Sequence, residues 1–250
     1  MSSLKRHESI MALLLQNGEV KVSELSELLQ VTGKTVREDL EKLEHQGLLV
    51  RVHGGAVLKN DADRGLLPSH EPNAKQLAEK ADAAAKAVRL IEPNDIIALD
   101  VGSTTLEIAK LLDNAPLTVI TNDLFIISEL ARKDRIHLVV PGGYRQRNML
   151  ISSDAIGFIR KLNIQKAFLT TSGIHSDFGF TIYTSELQEQ KRALMACAKE
   201  TICVADHTKF DKYALMTFAE LSEVHSIITD SGLSDDVAEK YRSYGLSIEK

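Results

Sequence analysis

No apolar stretch in this sequence approaches the roughly 18 consecutive residues that a membrane-spanning helix needs. The N-terminal segment "MSSLKRHESIMALLLQNGEV" is broken by polar residues at helical spacing, so it is neither a span nor an export signal, and the expected address is the cytoplasm. Cysteine is nearly absent. Cys197 and Cys203 lie within or beside apolar runs ("ALMACA", "TICVA"), which argues for reduced core thiols over a disulfide or a metal site. The eight histidines form no metal-ligand spacing, and His175 and His207 stand alone as hydrogen-bonding residues. No Gly-x-Gly-x-x-Gly follows the first strand of the larger part of the chain, and no Gly-x-x-x-x-Gly-Lys-(Ser/Thr) occurs, so neither common nucleotide-binding loop is present. Neither a metal nor a cofactor is expected. A fixed-period repeat and a low-complexity tract are also lacking.

Basic excess is missing too, with a formal net charge of −5, but the charge is unevenly placed. Residues 1–59 hold eight Lys plus Arg and eight Asp plus Glu, so the whole negative excess lies in the remainder. What is there is an ordinary globular composition, 44% apolar and 26% charged over 250 residues, enough for two modest domains.

The first 59 residues divide into short elements. A helix with Ile10, Leu13 and Leu14 on one face stops near Asn17-Gly18. "VSELSELLQ" reads as a second helix with Ser23 as N-cap and Leu25, Leu28 and Leu29 facing inward. A turn at Val31-Thr32 leads into a third helix over 33–46, closed by Gly47. "LLVRVHGGAVLK" then reads as a hairpin around His53-Gly54-Gly55. Three helices and a two-stranded wing make a winged helix-turn-helix. Residues 60–73, "NDADRGLLPSHEPN", lack any sustained period and read as a linker. From Ala74 to Lys250 apolar strands ("DIIALDV", "LTVIT", "IHLVV", "KAFLTT", "TICVAD", "SIITD") alternate with amphipathic helices, the pattern of an α/β domain with a parallel sheet covered on both faces.

The third helix, "GKTVREDLEKLEH", sets Lys34 and Arg37 against Glu38 and Asp39. At about 100° per residue, Val36, Leu40 and Leu43 form a core stripe, while Lys34, Glu38, Glu41 and His45 share the opposite side. Such a helix meets base edges with its N-terminal part. Thr32, Lys34, Thr35 and Arg37 are therefore the candidate groove contacts. Arg6, Lys21, Arg51 and His53 are candidates for phosphate. Glu38 is the awkward residue, able to accept from a cytosine amino group or simply to weaken binding.

The stretch from Arg6 to Val57 resembles the DNA-binding domain of DeoR-type bacterial repressors of sugar metabolism. The resemblance is carried by Val31, Thr35, Val36, Arg37, Asp39, Leu40, Leu43, Glu44, Gly47, Arg51, His53, Gly54, Gly55 and Ala56. Thr32 replaces the family's usual serine, and Glu38 stands where a second cation is usual. The resemblance implies operator DNA as a partner.

In an open parallel sheet, ligands bind beyond the carboxyl ends of the strands. Here those ends carry Gly102-Ser103-Thr104-Thr105, Thr121-Asn122-Asp123, Pro141-Gly142-Gly143 with Arg145 and Arg147 behind, Thr171-Ser172-Gly173, and His207-Thr208-Lys209. Glycines, hydroxyls and a helix N-terminus suit a small anion. The family resemblance extends over this half ("LDVGSTTLEIAKLL", "VITND", "VVPGG", "TTSGIHSDFGFT", "ELQEQKRALM", "VADHTKF") and implies a fold like ribose-5-phosphate isomerases and CoA transferases. It also implies a phosphorylated sugar as effector. The residues it points to are Asp100, Gly102, Ser103, Thr104, Thr105, Thr121, Asn122, Gly142, Gly143, Arg145, Ser172, Gly173, Glu186, Lys191, Asp206 and Lys209. The loop after Gly143 is about two residues short of the family pattern, so either Arg145 or Arg147 can take the family arginine's place. Asp211-Lys212 replaces the usual Gly-Arg.

An isomerase would use a carboxylate such as Asp100, Asp123, Glu186 or Asp206 as base, with Lys191 or Lys209 beside it. The isomerase-type cluster Asp-Gly-Ala-Asp-Glu is absent, with "TTSGIHSDFG" in its place. The expectation is therefore a repressor and not an enzyme. It is a homo-oligomer, dimer or tetramer, because operators are read by symmetric assemblies.

Overall fold

The computed structural model describes residues 2–46, 48–58 and 76–250. The expected linker at 60–73 and the expected helix stop Gly47 lie outside the described residues.

Helix α1 (Ser3–Asn17) is capped by the Ser2 hydroxyl, which accepts from Lys5 N, and it ends at Gly18 in the left-handed region with φ 80°. A short strand β1 (Glu19–Lys21) follows, which the sequence pattern did not suggest, and α2 (Val22–Leu29) starts directly from it. Lys21, not Ser23, is therefore the residue before the helix, and it contributes no side-chain cap. Helix α3 (Gly33–His45) is capped by Thr32, whose hydroxyl accepts from Thr35 N. Strands β2 (Leu49–Val52) and β3 (Gly55–Leu58) form the expected hairpin, but the wing has three strands in the order β1-β3-β2. Three residues are too few to show a period of two, and only pairing with β3 (Val20 opposite Ala56) makes Glu19–Lys21 a strand. The core holds Ile10, Met11, Leu14, Leu25, Val36, Leu40 and Leu43, each at most 1% exposed. Burying each such side chain contributes about 1.5–3 kcal/mol. Leu28 was expected to face inward and is instead 63% exposed.

The second domain begins with α4 (Leu77–Val88), β4 (Ile96–Leu99), α5 (Ser103–Leu111), β5 (Leu117–Ile120), α6 (Leu124–Leu130) and β6 (Ile136–Val139). A hairpin of β7 (Tyr144–Gln146) and β8 (Met149–Ile151), α7 (Ser153–Ile159), β9 (Ile164–Leu169), β10 (Gly173–His175) and β11 (Gly179–Ile182) come next. The chain closes with α8 (Ser185–Cys197), β12 (Ala198–Val204), β13 (Met216–Ala219), β14 (Ser226–Ile228), α9 (Asp235–Arg242) and β15 (Ser247–Glu249).

Seven strands pair in the order β15-β14-β12-β9-β4-β5-β6, every neighbour parallel. From β4 the chain runs outward through β5 and β6. From β9 it runs the other way through β12, β14 and β15. The strand order thus reverses between β4 and β9, and such a reversal opens a crevice at the carboxyl ends of the two strands. Two small antiparallel sheets, β10-β11-β13 and β7-β8, were not legible as strands and are built from the loops around this edge. Cys203 is fully buried on β12, and burial pushes its thiol up to about 12; Cys197 is half-buried at the end of α8, and both are free.

The two domains touch. Arg147 Nη2, beyond β7, donates to Ala12 O of α1 at 2.6 Å, and Ser185 Oγ donates to Glu8 Oε2 at 3.3 Å. The buried apolar cluster of the winged helix is continuous with one face of the second domain.

Candidate DNA interface and effector site

Helix α3 presents Lys34, Arg37, Glu38 and Glu41 to solvent. Asp39 does not join them. It is 1% exposed, its carboxylate accepting from Arg6 Nε at 2.7 Å and Nη2 at 3.0 Å, with His7 Nε2 at 3.0 Å. Burial alone would raise the Asp39 pKa, but hydrogen bonds from Arg6 and His7 hold the carboxyl below its ordinary value. Two consequences follow. Arg6, expected among the phosphate contacts, has its guanidinium closed on Asp39. And one of the two acids opposite Lys34 and Arg37 is removed from the surface, so the first two turns of α3 expose two cations and only Glu38 against them.

The other expected DNA contacts are placed as follows. Thr32 and Thr35 sit at the helix start with their hydroxyls 3.0 Å apart. Lys34 lies 3.9 Å from Glu38, Lys21 lies 3.3 Å from Glu24, and Arg51 lies 3.9 Å from Glu44, all well exposed. Exposed pairs of this kind contribute about 0–1 kcal/mol and yield readily to a phosphate. Glu44 also accepts from Arg51 N at 2.8 Å, tying the helix to the wing and away from the groove-facing turns. His53 is exposed in the turn between β2 and β3.

At the crevice, Asp100 (after β4) is fully buried. Its Oδ2 accepts from Thr170 N and Oγ1, each at 3.0 Å, and from Lys191 Nζ. Lys191 reaches in from α8, is 1% exposed, and also donates to Thr170 O at 2.8 Å. Its ammonium lies 5.1 Å from the centre of the Phe218 ring. Lys191 is thus sealed against Asp100 instead of open at the rim. Asp100 Oδ1 is buried with no hydrogen-bond partner among the described residues.

Gly102 follows, and a Cβ there would come within 2.6 Å of Thr170 Cγ2, so the β4 and β9 ends approach too closely for any side chain. Ser103 and Thr104 begin α5, while the Thr105 hydroxyl is consumed locally, donating to Asp100 O at 2.7 Å.

Around the second strand end, Thr121 Oγ1 accepts from Asp123 N at 3.2 Å, and Asn122 Nδ2 donates to Leu150 O and to Gln190 Oε1. Asp123 is fully buried. It caps α6 through Phe125 N and Ile126 N and accepts from Asn148 Nδ2 at 2.9 Å. Burial pushes its carboxyl up to about 6, against the Ile126, Phe125 and Gly102 N–H groups that favour the charged form.

Gly142 and Gly143 have φ 85° and 122°, and a Cβ on Gly143 would meet Ile151 O at 2.3 Å. Arg145 is exposed, with Nε donating to Arg147 O at 2.9 Å. Ser172 N donates to Thr181 O, and Gly173 is buried in β10. Asp206 is buried and accepts from Thr208 N at 3.1 Å, and Lys209 is half-buried one turn on. Glu186 is exposed in the first turn of α8.

Several participants were not picked out from the sequence. Thr170, Asn148 and Gln190 are ordinary polar residues whose partners lie 70, 25 and 68 positions away. Lys80 is a lysine on an otherwise typical amphipathic helix. It is 3% exposed, and burial lowers its pKa while Asp206 opposes the shift. A lysine among the alanines of "AEKADAAAKA" was the available signal for it.

Comparison with known proteins fixes the family. Residues 6–62 match the DeoR-like helix-turn-helix domain and residues 75–231 match the DeoR C terminal sensor domain. The chain is 31% identical over 248 residues to the HTH-type transcriptional regulator IolR of Bacillus subtilis (strain 168), covering 98% of each. It is 31% identical over 234 residues to the glycerol-3-phosphate regulon repressor of Escherichia coli (strain K12), covering 92% of each. A ribose 5-phosphate isomerase A from Methanocaldococcus jannaschii aligns at 17% identity and a TM-score of 0.40, over 52% of this chain and 53% of the isomerase. The chain belongs to the DeoR family of helix-turn-helix transcriptional regulators, a family of regulators and not of enzymes.

Proposed function

We propose that this regulator represses a carbohydrate-utilisation operon and that a phosphorylated sugar, bound at the carboxyl edge of the seven-stranded sheet, lowers its hold on the operator. The observation that carries the effector site is the strand-order reversal. It brings Asp100, with one buried unpartnered oxygen, beside Gly102 and the start of α5. A carboxylate oxygen accepts a sugar hydroxyl, and backbone N–H groups at a helix start favour phosphate. The names of the glycerol-3-phosphate and other relatives point the same way. Thr32, Lys34, Thr35, Arg37, Lys21, Arg51 and His53 face the duplex, and a homo-oligomer reads a symmetric operator.

The test is fluorescence anisotropy on a duplex from the protein's own promoter region, with and without a panel of sugar phosphates. Binding that falls steeply with added salt, and an ester that weakens it, are the expected results. A flat salt response, or indifference to every ester, overturns the respective half.

A further inference from the structure

Glu186 belongs to the walls of two cavities. One, of about 210 Å3, lies beside the Pro141–Tyr144 loop, between β8, α7 and α8, with Asn122, Ser152, Glu186, Glu189 and Gln190 among its walls. The other, of about 130 Å3, lies where the domains meet and is lined by Glu8 and Ala12 of α1 and by Gln146, Arg147, Thr184 and Glu186. The first adjoins the strand ends, since Asn122 precedes the Asp123 carboxylate that receives the Gly102 N–H.

The charged groups lining the larger cavity are both carboxylates, Glu186 and Glu189, and the rest of its polar lining is amide and hydroxyl. A second anionic group on an occupant would be repelled there, whereas hydroxyls would find acceptors.

The smaller cavity is tense. Arg147 holds left-handed backbone at φ 57°, unusual for a side chain of its size. Burial lowers its pKa, which Glu186 opposes, and its Nη2 is committed to Ala12 O of α1 at 2.6 Å. The Thr184 hydroxyl is buried there with no partner among the described residues. Asn148, the next residue, is hydrogen-bonded to Asp123 at the strand ends, so the hairpin carrying Arg147 is anchored at the effector edge and at the DNA-binding domain together.

We propose that the larger cavity takes the uncharged, hydroxyl-bearing part of a singly phosphorylated polyol or sugar, and that Glu186, which lines both cavities, couples its filling to the Arg147–Ala12 contact and so loosens the tie to α1. This presupposes the sugar-phosphate effector proposed above. The coupling runs directly through the Arg147–Ala12 contact that joins the two domains, which the two states must hold with different strength.

Two variants and two readouts test it in the full-length protein. Calorimetric binding is measured with glycerol 3-phosphate, ribose 5-phosphate and fructose 6-phosphate, and with fructose 1,6-bisphosphate as the doubly charged probe. The double variant Glu186→Gln/Glu189→Gln, both positions exposed, is expected to bind the preferred monophosphate at least tenfold more weakly and the bisphosphate more tightly. Arg147→Ala is expected to lose tenfold or more in operator affinity without effector, and to lose most of the further drop that the monophosphate causes in wild type. A bound monophosphate that the double variant treats as wild type does, or an equal loss for both classes of ester, overturns the subsite alone. Unchanged operator affinity and full effector response in Arg147→Ala overturn the tie. Failure of every ester to bind wild type sinks both this proposal and the effector on which it depends.

Discussion

The polar groups of the two domains are organised in opposite ways. On the winged helix the candidate contacts are exposed and loosely paired at 3.3–3.9 Å. At the carboxyl edge of the seven-stranded sheet they are buried and bonded to one another, with Asp100, Lys191 and Thr170 closed into one unit and Asn122 paired to Gln190. The contrast suits the two kinds of ligand proposed above. A polyanion is held by many solvated cations that release counterions, and each contributes modestly. A small ester has few contacts to offer, so its site must be rigid and already in place.

The contrast breaks first at Lys191. Lys191→Met leaves the buried Asp100 carboxylate uncompensated and is expected to cost about 3–5 kcal/mol in chemical denaturation. A loss below about 1 kcal/mol would mean that the crevice is wetter and looser than its hydrogen bonds imply.

Next is Asp123, whose carboxyl sits at about 6 in the folded chain against 3.8 for an ordinary aspartate. Between those values the folded state binds more protons than the unfolded one, so stability falls as pH rises from about 4 to about 6, by roughly 3 kcal/mol for this group. Asp39, Asp95 and Asp230, held low by their partners, act in the opposite sense and only below about pH 4. Denaturation at pH 4.5, 6 and 7.5 should show the decline in wild type and its absence in Asp123→Asn.

On the DNA side, Arg37→Ala should weaken operator binding by about 1–3 kcal/mol, as read by anisotropy, while melting is unchanged. Thr104→Glu, at the start of α5, should abolish the response to sugar phosphate by like-charge repulsion and leave operator affinity intact.

The smallest effect sharpens the comparison most. Glu38→Gln should change stability by less than about 0.5 kcal/mol yet raise operator affinity measurably, because Glu38 is the exposed acid left in the first two turns of α3. Unchanged affinity would mean that Glu38 points away from the duplex or accepts from a base.

Helical periodicity alone put Val36, Leu40 and Leu43 on the inner side of α3, and the strand–helix alternation of residues 96–228 indicated a parallel sheet, because both follow from spacing within a short window. Asp39 shows where that reasoning stopped. Its angle on the helix lies between the two faces, and Arg6, which decides that it is buried, is 33 residues earlier. The Asp100–Lys191 pair spans 91 residues, and β1 and the β10-β11-β13 sheet exist through partners far along the chain. The sequence by itself determined the two-domain order, the helices of the winged helix, most strands of the parallel sheet, the family and the edge where polar residues collect. Tertiary structure alone decided which charges are spent inside the protein, which remain for DNA or ligand, and that Arg147 bridges the domains. Periodicity is a local property of a chain, whereas burial and charge pairing depend on which distant residues the fold brings within about 3 Å.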